Sequence, residues 1–382
     1  MSARYKIHLK NQSGDLVAIF DDFTSLTIGH RINSIDTCSF AIDDDDSRID
    51  LFETDGQIEV YRSYPEFGVD WYLEFEGFHR TFSRQHFEDG NRYFTSNARG
   101  YNDLLRRRIV AYYAGTDQAS KSGAGETVMK EFVDENCGPS ATSPPRISDG
   151  VITGLTIEAD AAQGDSWAGS KAYINILDVC QDIANNSGLD FKVRGNGAAQ
   201  FVFRVYSGQL GDDRSVTGLD SSTGLNGAGN APVIFTLNRG NMGMPVFSQK
   251  RMNERNYCYV LGQGQQSDRE IVVREDTDTT DDSPWNKIEF TRDARNYSTT
   301  VSYQNAGDAA LVENQFEETF SFEPLQIEST LYGRDYFFGD IITARYAGFE
   351  RNKKFIGMDI MVNNTQADSP EKISVTLGDV LP

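Results

Sequence analysis

The residues able to do chemistry are scattered along this chain. The four histidines, His8, His30, His79 and His86, all fall in its first quarter, and the four cysteines, Cys38, Cys137, Cys180 and Cys258, stand 99, 43 and 78 positions apart. A zinc ribbon or a thioredoxin-type centre needs a CxxC pair, which is absent, so the cysteines read as free thiols of a reducing compartment. A zinc peptidase needs two histidines a helical turn apart, as in HExxH, so that both imidazoles reach one ion. His79 and His86 are seven apart in a strand-like stretch with Arg80 and Arg84 between them. They read as packing or surface residues.

The acidic runs fail as calcium loops. Such a loop needs glycine at its sixth position and an acid at its twelfth. Counting from Asp43 those places hold Arg48 and Thr54, and from Asp276 they hold Asp281 and Lys287. Both runs read as solvated turns. Gly164, Ser166 and Gly169 make a GxSxG elbow one residue too long, and no histidine follows His86 to complete its chain order. A triad starting from an N-terminal histidine stays formally open, but nothing locates one. Gly262 and Gly264 follow a strand without the third glycine and helix of a dinucleotide site, and no P-loop is present. Among 57 acids a pair at glycosidase spacing arises by chance. Arg106, Arg107 and Arg108 form the one basic cluster, meeting either an acidic neighbour across an interface or solvent at a helix end. No catalytic, cofactor-binding or metal-ligating residue is assigned, and no cofactor. The reading is a structural or binding protein, not an enzyme.

Composition supports that reading. The 382 residues, enough for two or three domains, carry 36 Lys and Arg against 57 Asp and Glu, a net charge of −21. This excludes a binder of nucleic acid through a basic face and disfavours an anionic membrane. The first twenty residues lack the apolar core of a signal peptide, and no apolar run reaches membrane-spanning length. Aromatics at 12% with 34 glycines point to a β-dominated chain with glycine at turns.

The elements divide the chain in three. Residues 1–115 read as successive strands: 5–10, 16–20, 25–31, 37–42, 57–62, 71–81 and 92–97, with a turn over 88–91. Residues 116–232 change character. A helix over 125–137 places Val128, Met129, Phe132 and Val133 on one face. A second, over 173–186, places Ile176, Leu177, Cys180, Ile183 and Ala184 on one face and ends at Gly188. A hairpin, 189–194 with 200–206, turns at Gly195, Asn196 and Gly197, and glycine-rich 207–231 reads as a loop outside the core. Residues 233–382 return to strands, at 233–237, 257–262, 270–274, 285–291, 326–332, 341–346, 354–362 and 372–378, interrupted by a helix over 309–318.

An ordered set of stretches resembles a known family. It comprises residues 100–110 with the helix from Gly125 to Gly138; the helix and hairpin spanning Ala172–Phe191 and Phe201–Ser215; Asn256–Asp276; Ala310–Glu313; Tyr332–Gly348, with its YGxDYxxGD pattern; and Glu371–Asp379, ending LGD. This order resembles the tail-hub (baseplate hub) proteins of long-tailed, siphovirus-type bacteriophages over nearly the whole chain. The resemblance implies a mainly β fold with α+β insertions: two tube-like β-barrel domains, 1–115 and 233–382, and a peripheral α+β domain, 116–232. It also implies a structural homotrimer forming a pseudo-sixfold ring at the tail tip of the virion, assembled in the bacterial host cytoplasm. The implied partners are a distal tail protein, the tape-measure protein and tail fibre or spike proteins. The implied roles are host attachment and genome ejection, with no membrane insertion and no specific nucleic-acid binding, although DNA passes through the lumen. The net charge suggests an acidic lumen wall that repels phosphate. Two rivals stand beside this reading, a tail-associated cell-wall hydrolase and a carbohydrate-binding adhesin. The chain's close at Pro382, directly after the last strand, is expected to leave no room for an appended hydrolase.

Overall fold

Alternating burial builds the first seven strands. They are β1 (Arg4–Lys10), β2 (Leu16–Phe20), β3 (Ser25–Arg31), β4 (Thr37–Asp43), β5 (Gln57–Tyr64), β6 (Val69–His86) and β7 (Arg92–Gly100). Period-two side chains put Ile7, Leu9, Phe40, Ile58, Val60 and Phe94 on one face, each at most 1% exposed. The computed structural model describes residues 3–88, 90–112, 119–143, 146–364 and 371–379. The expected boundary at 115/116 and Asp89 of the 88–91 turn lie outside these. Two compact units result: Met1–Pro245 with Ser321–Pro382, and Val246–Phe320.

The middle of the larger unit holds α1 (Asp103–Arg106), β8 (Ala119–Ala124), α2 (Gly125–Asn136), β9 (Leu155–Ile157), β10 (Ser166–Lys171), α3 (Ile176–Ser187), β11 (Leu189–Gly195) and β12 (Phe201–Ser207). Both expected helices form, with the expected faces buried together in one cluster against Phe191 and Phe203. Asn175 caps α3 by accepting from the Leu177 amide at 3.0 Å, and Gly188 closes it in the left-handed region at φ +63°. The β11–β12 hairpin pairs Leu189 with Ser207 through Gly195 with Phe201. The glycine-rich stretch is not wholly outside the core. It contributes β13 (Asp213–Arg214) and buries Ser215 and Asn226.

The larger unit continues through β14 (Ile234–Thr236) and into β15 (Met242–Lys250), where the chain leaves it. The smaller unit contains β16 (Tyr257–Leu261), β17 (Ile271–Glu275), α4 (Thr277–Thr280), β18 (Glu289–Asp293) and α5 (Thr300–Glu313). Its sheet, ordered β17-β16-β18, buries Cys258 and Val260 against Tyr303, Ala306 and Ala310 of α5. The chain returns through β19 (Glu317–Pro324), then β20 (Ile341–Tyr346), β21 (Phe349–Asn363) and β22 (Lys372–Asp379).

Three expected elements differ. The strand placed over 285–291 forms at Glu289–Asp293, where it pairs in parallel with Tyr257–Leu261. The helix placed over 309–318 begins nine residues earlier, because Thr299 caps it by accepting from the Ser302 amide at 3.2 Å. Its small residues let it lie close to the sheet: a Cβ on Gly307 would sit 2.6 Å from Val260. Residues 326–332 form no strand. Gln326 donates to the Tyr336 hydroxyl at 3.1 Å and accepts from the Tyr332 amide at 2.9 Å, so the segment folds back around its own tyrosines.

Long-range pairing joins the two β segments. Among the described residues a 14-stranded sheet runs β15-β19-β22-β21-β3-β4-β7-β6-β5-β1-β2, with β20 on β21 and β13 and β14 on β20. The junction is β3 against β21, antiparallel, with Ile28 opposite Ile360 and His30 opposite Met358.

Candidate functional site: a buried charge seam

Several strands place a charge where their alternation calls for an apolar side chain. Arg62 follows Ile58 and Val60 in phase, and His30 follows Leu26 and Ile28. Such groups must be paired to be buried.

His30, 2% exposed, sits between two carboxylates. Its Nδ1 lies 3.1 Å from Asp36 Oδ2 and its Nε2 3.0 Å from Glu74 Oε1. Its ring stacks on Phe338 at 5.2 Å. Burial opposes the imidazolium, but Asp36 and Glu74 together outweigh it and raise the pKa above the usual imidazole value. Each acid has a second partner. Lys192 of β11 donates to Asp36 at 2.8 Å, and the Tyr332 hydroxyl donates to Glu74 at 2.6 Å. Burial pushes both acids up, yet these cations and donors hold both below the ordinary carboxylate values.

Arg62, fully buried, donates to Glu371 at 2.8 and 2.6 Å, to the Tyr332 carbonyl at 3.0 Å and to the Tyr72 hydroxyl at 3.1 Å. The Tyr5 hydroxyl also donates to Glu371. Burial pushes the Glu371 carboxyl up to about 8, while the two guanidinium bonds favour its charged form. A third pair, Lys354 to Asp190 at 2.7 Å, ties β21 to β11. Asp340, at the turn after Gly339 (φ +93°), accepts from the Asp212 and Phe337 amides, and burial raises its pKa to about 6.

The seam joins all three sequence segments. Both His30 nitrogens face carboxylate oxygens, so neither is turned to an open site. Among the described residues no group of three His, Cys, Asp or Glu side chains could hold a metal ion. A separate open cleft of about 490 Å³ is lined by Leu237, Tyr346, Phe349 and the Arg345–Glu350 ion pair.

The residues weighed in the sequence go elsewhere. Asp46 caps Arg48, and Asp44 and Asp45 pair with Arg84 and Arg92. Asp276 caps α4. His79 packs against Phe52 and lies 2.8 Å from the Ser96 hydroxyl, whereas His86 is exposed. Arg106, half exposed at the helix end, lies 3.7 Å from Asp103, Arg107 pairs with Asp55 and Asp103, and Arg108 donates to the Gly150 carbonyl at 2.8 Å. The cluster thus belongs mainly to the chain's own packing. All four cysteines are buried free thiols. Sequence reading gave no role to His30, Arg62, Glu74 or Glu371. The one available signal was a charge at the apolar phase of an alternating strand.

Residues 6–379 match the siphovirus ReqiPepy6 Gp37-like protein family. The chain belongs to this family. No curated protein sequence matches it. Its fold is similar to that of a tail protein from Neisseria meningitidis MC58, with a TM-score of 0.59 at 13% identity over 99% of this chain and 97% of that one. It is also similar to the 43 kDa tail protein of prophage MuSo2 from Shewanella oneidensis (0.57, 7% identity, 98% of each chain). A third similar structure is prophage tail protein gp18 of Listeria monocytogenes EGD-e (0.55, 8% identity, 98% and 94%). The expected mainly β hub-type fold is therefore present, and family and fold together place the chain among structural tail proteins of siphoviruses. No helix among the described residues is long and apolar enough to cross a membrane.

Proposed function

We propose that this Gp37-like protein is the tail-tip hub: a non-enzymatic homotrimer without cofactors that forms a pseudo-sixfold ring. It joins the distal tail protein above to fibre or spike proteins below, takes up the end of the tape-measure protein, and forms part of the DNA conduit. Residues 1–115 and 233–382 supply the two tube-like modules, with 246–320 an excursion from the second, and 116–232 is the peripheral domain. The protein assembles in the host cytoplasm and acts in attachment and genome ejection.

The observation that carries this reading is the β3–β21 junction. It sets two β segments of one chain side by side in one sheet, and three such chains present six modules to a sixfold tube. A closed ring of heterologous contacts ends in a discrete assembly instead of a fibre. The buried seam fixes the two modules in register, which a repeating ring requires. The test is native mass by light scattering over a concentration series. A mass near three times 42.7 kDa is expected, and a monomer at every concentration refutes the ring.

A further inference from the structure

In the smaller unit α5 covers one face of the three-stranded sheet and leaves the other open. Cys258, Val260 and Val272 pack under α5, and Arg274 donates to Asp308 of α5 at 3.1 Å. Strand alternation puts their odd-numbered neighbours on the open face. There the register sets Ile271 beside Leu261, Val273 beside Tyr259 and Glu275 beside Tyr257. Ile271 is 55% and Val273 43% exposed. β17 is also an edge, since the sheet runs β17-β16-β18. Its ladder to β16 continues past both ends: the Gly262 amide donates to the Glu270 carbonyl at 2.8 Å and the Asp276 amide to the Asn256 carbonyl at 3.0 Å. Bonding toward one neighbour alternates along an antiparallel strand. Even-numbered residues of β17 therefore bond to β16, and Ile271, Val273 and Glu275 turn their N–H and C=O groups outward.

The opposite edge is guarded. β18 carries Glu289, Arg292 and Asp293. On its side of the open face Lys287 sits 3.5 Å over the Tyr257 ring, and the Tyr259 hydroxyl donates to Glu289 at 3.0 Å. Charged edges resist pairing and apolar ones invite it. Exposed acids flank β17 instead, with Asp268 and Glu270 before it and Asp278 and Asp281 after it. None of these four belongs to an ion pair among the described residues. They make a second copy a poor occupant. Antiparallel self-pairing about Val273 would set Glu270 opposite Asp276 and Asp268 opposite Asp278, and like charges directly opposite destabilise a sheet. They suit a strand with basic ends.

We propose that β17 is a docking edge for an extended segment of another protein, which joins the sheet as a new outer strand. That segment carries apolar side chains opposite Val273 and Ile271 and Lys or Arg toward the acidic ends. Main-chain bonds to Ile271, Val273 and Glu275 supply affinity, and the alternating side chains supply specificity. A single chain presents the whole edge, so docking here needs no ring.

The test titrates the full chain into a fluorescein-labelled, end-capped peptide, KKTVTVK, and reads anisotropy. Paired antiparallel, its valines face Val273 and Ile271 and its lysines face the acids. Binding is expected, weakening as salt rises, with the acidic peptide EETVTVE and the unalternated isomer KTVVTKK binding far less. Methylating both valine nitrogens removes two donors turned to β17 and should weaken binding about tenfold or more. Methylating both threonine nitrogens, which face away, should leave it unchanged. Val273→Pro deletes an outward N–H that the β16 ladder does not use, so the variant should fold and lose the peptide. Absence of binding, equal binding of the acidic peptide or of the two methylated forms, or full binding by folded Val273→Pro each overturns the inference. A native mass that falls in Val273→Pro gives the edge to a second copy and overturns it too. Should that variant not fold, the two methylated peptides decide.

Discussion

Removing Arg62 should expose the energetics of the seam. In Arg62→Met the methionine fills much of the space, but the Glu371 carboxyl stays buried at 6% side-chain exposure with only Tyr5 to bond it. Breaking one side of a buried ion pair costs about 3–5 kcal/mol. Glu371→Met strands the guanidinium and should cost about the same. The double variant removes both charges, and the pair's desolvation cost goes with them. What remains is the lost bonding of the Tyr332 carbonyl and the Tyr5 and Tyr72 hydroxyls, about 1–3 kcal/mol in all after local rearrangement. The double variant should therefore be more stable than either single, with a coupling of at least about 3 kcal/mol in the cycle. The assay is urea unfolding at pH 7 and fixed protein concentration, followed by tryptophan fluorescence in a Trp285→Phe background. Trp71 and Trp167 then report on the larger unit alone. A single-variant loss below about 1 kcal/mol, or a double equal to the sum of the singles, would refute the argument that these two residues act as one buried pair.

Three further outcomes follow from the geometry. Because the His30 pKa is raised, its stabilisation is complete below about pH 6.5 and fades as pH climbs through the raised value. The urea-midpoint gap between wild type and His30→Gln should narrow over that interval, and a gap constant from pH 6 to 9 contradicts it. Gly77→Ala should cost about 1–3 kcal/mol, since the added Cβ would lie 2.2 Å from the Arg99 carbonyl oxygen; an unchanged urea midpoint counts against that close approach. Asn175→Ala should cost about 1 kcal/mol or more, because the side chain caps α3 and also donates to the Arg106 carbonyl at 2.7 Å. Amide exchange in the first turn of α3 would report it directly, with no change there speaking against the cap.

Local pattern and long-range pairing contributed differently to what could be read in advance. Strands such as Leu16–Phe20, Ser25–Arg31 and Ile341–Tyr346 take their limits from alternation and flanking turn residues. The second helix of the middle segment shows in its apolar periodicity and in Gly188. The helix over Thr300–Glu313 starts earlier than expected because its buried face, Tyr303 apart, is made of alanine and glycine, which carry little periodic signal. Residues 326–332 read as a strand, and only the hydrogen bonds of Gln326 with Tyr332 and Tyr336 make a folded-back loop.

The sequence by itself determined that the chain is mainly β with an α+β middle, and which residues alternate in most strands. Period-two and period-3.6 burial are local properties, so a short window is enough to reveal them. Only the tertiary structure decided which strands pair. Ile28 meets Ile360, and Arg62 meets Glu371 across 309 positions. Alternation tells a strand which side to bury but not which neighbour completes its ladder. That choice is made where apolar faces and buried charges are satisfied together. It is also what lines up Thr81, Asn97, Ser39, Thr27 and Met361, distant in the sequence, as one row across five strands.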